Sequence, residues 1–333
     1  MRASVSKATN RVLRTGDMKR AVVFVTLVAA LGAACQKSPE ATATTAPTPA
    51  TARDTGTAGT PPQAPRTARL DPLPRPLFWS VEKDGKTTYF LGTMHVGVDA
   101  EARLPALVWS KLHAATTFAM EADLDDPAAA SMIRPGVRSL RDDLGDAYWR
   151  KLEDAIGPGV ARAIDRLPPL VPAAALSMRG LPETQAMDKV LSARAAGEHK
   201  QLVFLEPATR QIAILGKWMD LKALKMLLDD LPDSEQHARA MLDAYVAGDE
   251  QKIVALSDSE KADALHHGYT AAEYDQEMNE MLYQRNASWI DALEQLHAGG
   301  GGFVAVGAMH LVGPRSVLAL LAGKGYQVTR VAP

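Results

Sequence analysis

The sequence predicts an α/β fold with a central mixed sheet flanked by helices and a long helical insertion between two halves of the sheet. Three observations predict it. Apolar strand-like runs alternate with helical stretches, which is typical of a sheet with helices on its faces. Residues 208–260 are largely helical in pattern. Two strand-like runs more than 200 residues apart, YFLGTMHVG at 89–97 and VAVGAMHLVG at 304–313, end in the same G-x-x-H, so we expect one motif in each half of the sheet.

The N-terminal residues predict export. From Met18, the expected initiator, the chain has a basic start, an apolar stretch over 21–34 and then Cys35, the pattern of a secretory signal. The stretch is shorter than the about 20 residues of a membrane span. Cys35 follows LGAA as in a bacterial lipobox, so we expect residues 1–35 to be a signal peptide and Cys35 to be lipidated. The alternative is an ordinary cleaved signal with an incidental cysteine.

The residue after the cysteine bears on the destination. Gln36 stands there rather than Asp, which predicts an outer-membrane lipoprotein facing the periplasm or the cell surface, with the membrane as a partner through the lipid. Residues 36–75 are rich in Ala, Thr and Pro and have few large apolar side chains, so we expect a disordered tether. The folded domain is then expected over 76–333.

Composition excludes several classes of function. Lys and Arg number 37 against 39 Asp and Glu, and no basic stripe stands out, so nucleic acid is not an expected partner. Lipidation of the single cysteine leaves no thiol for a disulfide, a thiolate metal site or a nucleophile. The chain has no Walker loop and no G-x-G-x-x-G after a strand, so no nucleotide is expected, and it lacks G-x-S-x-G and H-E-x-x-H.

The elements of the folded part follow in order. The turn signal Asp84-Gly85 separates two strand-like runs within 77–93, which predicts a hairpin. Helices are predicted at 102–114, at 144–156 before Gly157-Pro158, and up to Gly197. A capping box, Thr270 with Glu273, begins the last long helix, which ends at a run of four glycines. Further strands are predicted at 116–124, 200–207, 302–310 and 326–332.

Four residues that suit metal binding or proton transfer lie at the carboxyl ends of predicted strands: His95, Glu121, Glu206 and His310. Ligands of open α/β sheets bind outside the carboxyl ends of the strands, so we expect the four side chains to converge. Imidazole and carboxylate suit zinc, manganese, cobalt or iron. Alternatively each histidine is an ordinary partly buried side chain, because one G-x-x-H alone is a weak motif.

Two kinds of residue support this site. Gly92 and Gly307 would let the chain turn sharply out of each strand or let the backbone approach a ligand. Arg285 falls inside the apolar stripe of the last long helix and must therefore be paired. It is either a structural ion pair or snorkelling side chain, or a group that meets a substrate oxyanion or carboxylate, to which Asn286 could contribute. The apolar stripe consists of Met278, Leu282, Trp289, Leu293 and Leu296.

Four segments together resemble the TraB/PrgY/GumN family, which includes the TIKI metalloproteases of animals. They are LFWSVEKDGKTTYFLGTMHVG, MDKVLSARAAGEHKQLVFLEPATRQ, YQRNASWIDALEQL and FVAVGAMHLVGPRSVLALLAGKGYQVTRV, and they span about 76–333. The resemblance implies a fold related to the erythromycin-esterase and ChaN-like proteins. It also implies a manganese- or cobalt-dependent protease that needs both G-x-x-H histidines, here His95 and His310, and a glutamate. That glutamate corresponds to Glu121 or Glu206.

Further positions compare with the family pattern in different ways. Arg285 and Asn286 match it, whereas Pro207 stands where many members have Thr. We therefore expect a metal-dependent hydrolase of a peptide or protein substrate, with a divalent manganese, cobalt or zinc ion. Glu121 or Glu206 would take a proton from water, and Arg285 would steady the oxyanion. The alternative is a non-catalytic protein that binds or sequesters a peptide, a metal or haem at the same place.

Overall fold

A six-stranded mixed sheet lies at the centre of the computed structural model, which describes residues 70–332. Its order is β4-β3-β5-β2-β1-β6, and β1 is antiparallel to both of its neighbours while the other strands share one direction. The predicted α/β class with a mixed sheet and many helices is confirmed. The strands are β1 Phe78–Lys83, β2 Lys86–Thr93, β3 Thr117–Met120, β4 Gln201–Phe204, β5 Phe303–Gly307 and β6 Gln327–Arg330.

The predictions for the N-terminus, including the signal, Cys35 and most of the tether, lie outside the described residues. The described chain begins within the predicted tether, and Leu73 there is buried against the main core. Its N–H donates to the carbonyl of Arg103 at 2.7 Å. Over residues 70–332, no helix is both long enough and apolar enough to span a membrane.

The hairpin predicted at Asp84-Gly85 is present. Both residues have positive φ, 51° and 71°, which matches the right-handed twist of the flanking strands β1 and β2. Lys83 pairs with Lys86 across this turn, and the register continues to Phe78 opposite Leu91. The hairpin therefore fixes where β2 ends.

The two strands that lead into the G-x-x-H histidines are neighbours in one sheet. β2 and β5 are parallel, with Gly92 opposite Val306 and Thr93 opposite Gly307. β3 lies on the other side of β5, and β4 lies beyond β3. The strands that precede all four predicted site residues are therefore adjacent and parallel, and their carboxyl ends meet at one edge of the sheet.

Helices connect the strands in four groups. The predicted helix at 102–114 is divided into two because Leu104 is extended before Pro105, as a residue before proline prefers. The helices are α1 Ala100–Arg103 and α2 Ala106–Ala114 before β3; α3 Pro127–Met132, α4 Leu140–Leu144, α5 Asp146–Ile156, α6 Pro158–Ala163, α7 Leu170–Ser177 and α8 Met187–Gly197 before β4; α9 Ala208–Trp218, α10 Leu221–Asp229, α11 Leu231–Ala247, α12 Glu250–His266, α13 Ala271–Met278 and α14 Gln284–Ala298 before β5; and α15 Val317–Gly323 before β6.

The described residues form two apolar cores. The main core covers the sheet, where Phe78 and Phe118 both pack against Phe303 with ring centroids 5.8 and 6.2 Å away. A second core lies among the inserted helices and includes Trp149, Leu152 and Leu215. The helical insertion thus has an interior of its own, which agrees with the strong amphipathic patterns of α5 and α9.

The helix pair before β5 contains an irregular turn. α13 begins with the predicted capping box, in which Thr270 and Glu273 bond each other's backbone N–H. A π-helical turn over Asn279–Tyr283 then joins α13 to α14. Such turns widen the hydrogen-bond ladder and are frequent at functional sites. Arg285 and Asn286 lie immediately after this one.

Candidate functional site

Four polar side chains and one arginine lie buried at the carboxyl edge of the sheet. His95 follows β2, Glu121 follows β3, Glu206 follows β4 and His310 follows β5, and none of the four is more than 6% exposed. Arg285 reaches them from α14. His310 Nε2 lies 3.6 Å from a Glu121 oxygen. The charge of Glu121 raises the pKa of His95 and the charge of Arg285 lowers it. The two histidines and the two glutamates thus each lie just beyond the carboxyl end of a strand.

Arg285 is the hub of the cluster. Its Nε donates to Glu206 at 2.8 Å, and its Nη2 contacts oxygens of Glu206 and Glu121 at 2.5 and 2.7 Å. Its Nη1 donates to the carbonyl of Met281 at 3.0 Å and lies 3.2 Å from His310 Nε2. The guanidinium is thus engaged through every nitrogen, so an interaction with a substrate oxyanion would require one of these contacts to break.

The π turn explains one of those contacts. Met281 lies inside the turn, and its carbonyl accepts a hydrogen bond from the Arg285 side chain four residues later. Arg285, whose side chain forms the ion pairs with the two glutamates, lies two residues after the end of the turn. A buried guanidinium needs acceptors for all of its N–H groups, and the backbone supplies one here.

Glu121 is held as a carboxylate. Burial alone would raise its pKa, but the charge of His310, when that ring is protonated at low pH, and the charge of Arg285 lower the pKa to about 2. The backbone N–H of Gly307 donates to one carboxylate oxygen at 2.7 Å, and Gln211 Nε2 donates to the other at 2.9 Å. Three protein donors therefore stabilise the ionised form and fix its orientation.

Glu206 differs from Glu121 in its environment. Burial raises its pKa above the usual range, and the ion pair with Arg285 only partly opposes that rise. One of its oxygens, Oε2, is buried and has no hydrogen-bond partner among the described residues. Nη1 of Arg210 lies 3.7 Å from that oxygen. Of the two glutamates, Glu206 is the one with an oxygen available to accept a proton.

The tautomer of His310 follows from its two partners. Its Nδ1 lies 2.6 Å from Oδ1 of Asn286, while Nδ2 of Asn286 donates to the carbonyl of Arg315 and so orients the amide. Nδ1 of His310 therefore carries the proton, and Nε2 is an acceptor for Arg285. Burial lowers the pKa of His310 to about 3, so the ring is neutral at physiological pH.

His95 is oriented by a residue that we did not predict. Its Nδ1 forms a hydrogen bond with a carboxylate oxygen of Asp188, and the other oxygen of Asp188 accepts from Thr93 at 2.7 Å. Burial tends to lower the pKa of His95, but the Asp188 carboxylate raises it overall. Nε2 of His95 is buried and has no hydrogen-bond partner in the described part of the chain.

The sequence carried only a weak signal for Asp188. It lies in the first turn of α8 and is buried with Met187, Val190 and Leu191. An acid in a first turn is usually explained by the helix dipole, so it does not stand out. An acid on a buried face needs a partner, as Arg285 does, but the apolar residues of α8 form no clear stripe that would identify this face from the sequence.

The two motif glycines act differently. A Cβ at Gly92 would lie 3.1 Å from Cβ of Leu77 and 3.2 Å from Cα of Ala308, so this glycine permits close approach to the second motif. Gly307 has φ −51°, which any residue adopts. Its contribution is its N–H, which donates to Glu121. The prediction of close backbone approach fits Gly92, and a special turn is not needed at Gly307.

The donor set fits a divalent metal ion in two respects. Both imidazoles are held through Nδ1 by an oxygen acceptor, the arrangement that leaves Nε2 as a ligand in protein metal sites. The buried, unpartnered Nε2 of His95 and the ionised Glu121 are ligands of suitable type. In residues 70–332, however, no group of three or more His, Cys, Asp and Glu side chains has the spacing of a formed metal site. Arg285 occupies the space between the two glutamates and His310.

Comparison with known proteins gives a family and two relatives. A sequence profile described as the TraB/PrgY/gumN family matches residues 77–330. The chain is similar to "Uncharacterized protein YbaP" of Escherichia coli (strain K12), with 26% identity over 235 residues, and to the protein of the same description from Shigella flexneri, with 26% identity over 236 residues. Each match covers 68% of this chain and 84% of the relative. No solved structure matches the chain significantly.

Proposed function

The chain belongs to the TraB/PrgY/gumN family, and from this premise we propose that it is a metal-dependent hydrolase of peptide bonds. The observation that supports the proposal best is that Nδ1 of each motif histidine is held by a side-chain oxygen. Nδ1 of His95 is held by Asp188, and Nδ1 of His310 is held by Asn286. A purely structural buried histidine needs partners on both nitrogens, whereas Nε2 of His95 has none among the described residues.

His95, His310 and Glu121 would hold the ion, which is manganese, cobalt or zinc in this proposal. When bound, such an ion supplies a water whose pKa falls toward about 7. Glu121 suits the ligand role because its carboxylate is ionised at any pH above about 2. The neutral ring of His310 suits it as well, because only an unprotonated Nε2 has a lone pair to give.

Glu206 is the proposed general base. Its raised pKa and its unbonded Oε2 suit a group that takes a proton from water. Arg285 holds Glu206 and Glu121 in place by the contacts described above, and its contact with Nε2 of His310 would be released when that nitrogen holds the ion. In this proposal Arg285 is a positioning residue first, and it acts on an oxyanion only if one of its contacts is released.

Access to the site is part of the proposal. The side chains are at most 6% exposed, so a substrate reaches them only when the covering segments move. The stretch after β2 is one such cover, because Gly97 N–H donates to Thr184 Oγ1 and the carbonyl of His95 accepts from Met187 N–H.

We also propose that the protein is exported and tethered to the outer membrane through lipid on Cys35, on the basis of its N-terminal sequence.

A second function remains, in which the protein binds or sequesters a peptide, a metal or haem without cleaving anything. The ion pairs between Arg285 and the two glutamates favour this second function, because these groups are already paired without a substrate. Only the first function requires the protein to cleave a substrate, and both functions use the same residues.

The test uses the full chain purified without added metal. Its metal content is measured, and cleavage of a proteome-derived peptide pool is followed by mass spectrometry with manganese, cobalt or zinc, with and without chelator. We expect metal-dependent cleavage that His95→Ala and His310→Ala abolish. The matched control is His297→Ala, because His297 is equally buried but bonds Thr88 in β2 and the carbonyl of Lys83 at the end of β1. Metal binding without cleavage under any metal would favour the binding protein.

A further inference from the structure

The strand β4 forms one edge of the sheet and pairs with β3 alone among the described strands. The N–H groups of Gln201 in β4 and of Leu205 just after it donate to the carbonyls of Thr116 and Met120, both at 3.0 Å, so the backbone groups of these residues face β3. Backbone groups alternate in direction along a strand. The N–H and C=O groups of Leu202 and Phe204 therefore point outward, away from the sheet.

One face of β4, beside this unpaired edge, carries exposed apolar side chains. Leu202 is 38% exposed and Phe204 is 40% exposed, and both are among the most exposed large apolar side chains that the structure describes. The other edge strand, β6, exposes the polar residues Gln327 and Thr329 instead. Natural proteins usually protect free edges with charged residues, prolines or covering segments. β4 has none of these devices within its four residues.

The same strand leads directly into the candidate site. Glu206 lies two residues beyond the end of β4, and its N–H still bonds the carbonyl of Glu121. A chain that lies along the outer edge of β4 therefore continues past Glu206. Arg210 is 39% exposed at that end and provides a cation beside the path.

We propose that an extended segment of a peptide substrate pairs with the outer edge of β4 as an added strand. This inference rests on the proposed function and specifies how its substrate is held. An alternating row of N–H and C=O groups is complementary to another extended backbone. Leu202 and Phe204 would contact alternate side chains of the peptide, so the edge selects unfolded or extended chains that carry apolar residues at alternate positions.

The test exploits the direction of the backbone groups. Leu202→Pro removes an N–H that β4 does not use for β3, and proline is tolerated at such outward positions of edge strands. Leu202→Thr is the matched control, because it keeps the N–H and a strand-forming side chain. The probe is the proteome-derived peptide pool with manganese. Far-ultraviolet circular dichroism and thermal unfolding report whether each variant folds. Light scattering of the parent reports whether a second copy occupies the edge.

A second measurement does not depend on any variant. Amide hydrogen exchange of residues 202 and 204 is followed in the parent, with and without the peptide pool. We expect the pool to slow exchange at both amides, and we expect Leu202→Pro to lower kcat/KM about tenfold, the effect of one lost hydrogen bond, while Leu202→Thr changes it less than threefold.

The outcomes separate this inference from the proposed function. If the parent cleaves the pool and Leu202→Pro cleaves it equally well, the inference is wrong and the hydrolase stands. If the parent does not cleave, the hydrolase fails, and peptide-dependent protection of the two amides still decides for or against edge binding. If both amides are already protected without peptide, a second copy or another segment of the chain covers β4, and the inference is overturned. If Leu202→Pro does not fold, the exchange experiment alone decides.

Discussion

The amide oxygen of Asn286 lies 2.6 Å from Nδ1 of His310, and both side chains are buried. Adjacent positions in α14 thus supply the two groups that fix His310, because Arg285 contacts its Nε2 from the preceding position. The Arg-Asn pair therefore sets both the tautomer and the orientation of this imidazole. The carbonyl of Arg315 completes the arrangement by accepting from the Asn286 amide.

The first prediction concerns Asn286. Asn286→Ala removes two hydrogen bonds and leaves Nδ1 of His310 buried without an acceptor, so we expect unfolding free energy to fall by about 1–3 kcal/mol. If the metal proposal holds, metal affinity should also fall by about 10–100-fold, as is typical for the loss of a group that holds a ligand histidine. Urea unfolding and metal titration measure the two effects. Asn279→Ala, on the preceding π turn, is the control for the helix itself.

The second prediction concerns the partner of His95. In Asp188→Asn the charge that raises the pKa of His95 is lost, so we expect that pKa to fall, and the imidazole proton resonances of His95 would report it. Thr93 and His95 keep a neutral hydrogen-bond partner, so the fold should survive. An unchanged His95 titration in a folded Asp188→Asn protein would contradict the orientation that we describe. Asp142→Asn, in the first turn of α4, is the matched control.

The third prediction tests Arg285 as a structural hub. Arg285→Met leaves Glu121 and Glu206 buried without their shared cation, so we expect a loss of about 3–5 kcal/mol in unfolding free energy. Arg210→Met is the control, because Arg210 is partly exposed and lies 3.7 Å from the same Glu206, and it should cost less than about 1 kcal/mol. Chemical denaturation measures both. Equal effects of the two variants would show that Arg285 has no special structural role.

Acid stability is the subject of the fourth prediction. The pKa of His310 falls from 6.5 to about 3 on folding, so the unfolded chain binds a proton first and stability is lost as pH falls through this window. The pKa of Glu121 falls from 4.5 to about 2, which has the same sign over a lower window. Each group contributes a slope of up to about 1.4 kcal/mol per pH unit. His310→Gln should reduce the slope between pH 6 and pH 4, measured by urea unfolding, and a slope equal to that of the parent would contradict the buried neutral histidine.

The strand-end residues could be predicted because their position depends on chain direction and the period of the apolar runs. Parallel strands bring their carboxyl ends together, so His95, Glu121, Glu206 and His310 were placed without knowledge of the strand order. The order itself was not predictable, since nothing in the local sequence states that β5 lies between β2 and β3. Asp188 was missed for a related reason. Its partner lies 93 residues away in the chain, and only tertiary packing brings α8 against the end of β2.

The π turn was also beyond a prediction from sequence. The pattern of apolar residues over 271–298 predicts one continuous helix. A π turn adds only one residue to the helical repeat, which is too small a change to show in that pattern. The one-residue shift allows Arg285 to bond the carbonyl of Met281 while its guanidinium reaches the glutamates. Local propensity does not register such a shift, because the partners of Arg285 lie in other segments of the chain.

The last prediction links the two motifs through Gly92. A methyl group there would stand 3.1 Å from Cβ of Leu77 and 3.2 Å from Cα of Ala308, closer than ordinary van der Waals contact. Gly92→Ala must therefore push β2 away from the turn that carries His310, and we expect it to lower unfolding free energy by about 1–3 kcal/mol, as overpacking does. Gly197→Ala is the control, because no atom lies within 4 Å of a Cβ at that position near the end of α8. Urea unfolding of both variants gives the energies, and the imidazole resonances of His310 report whether its surroundings shift. If Gly92→Ala is as stable as the control and the His310 resonances do not move, the two motifs are not packed as closely as the structure describes.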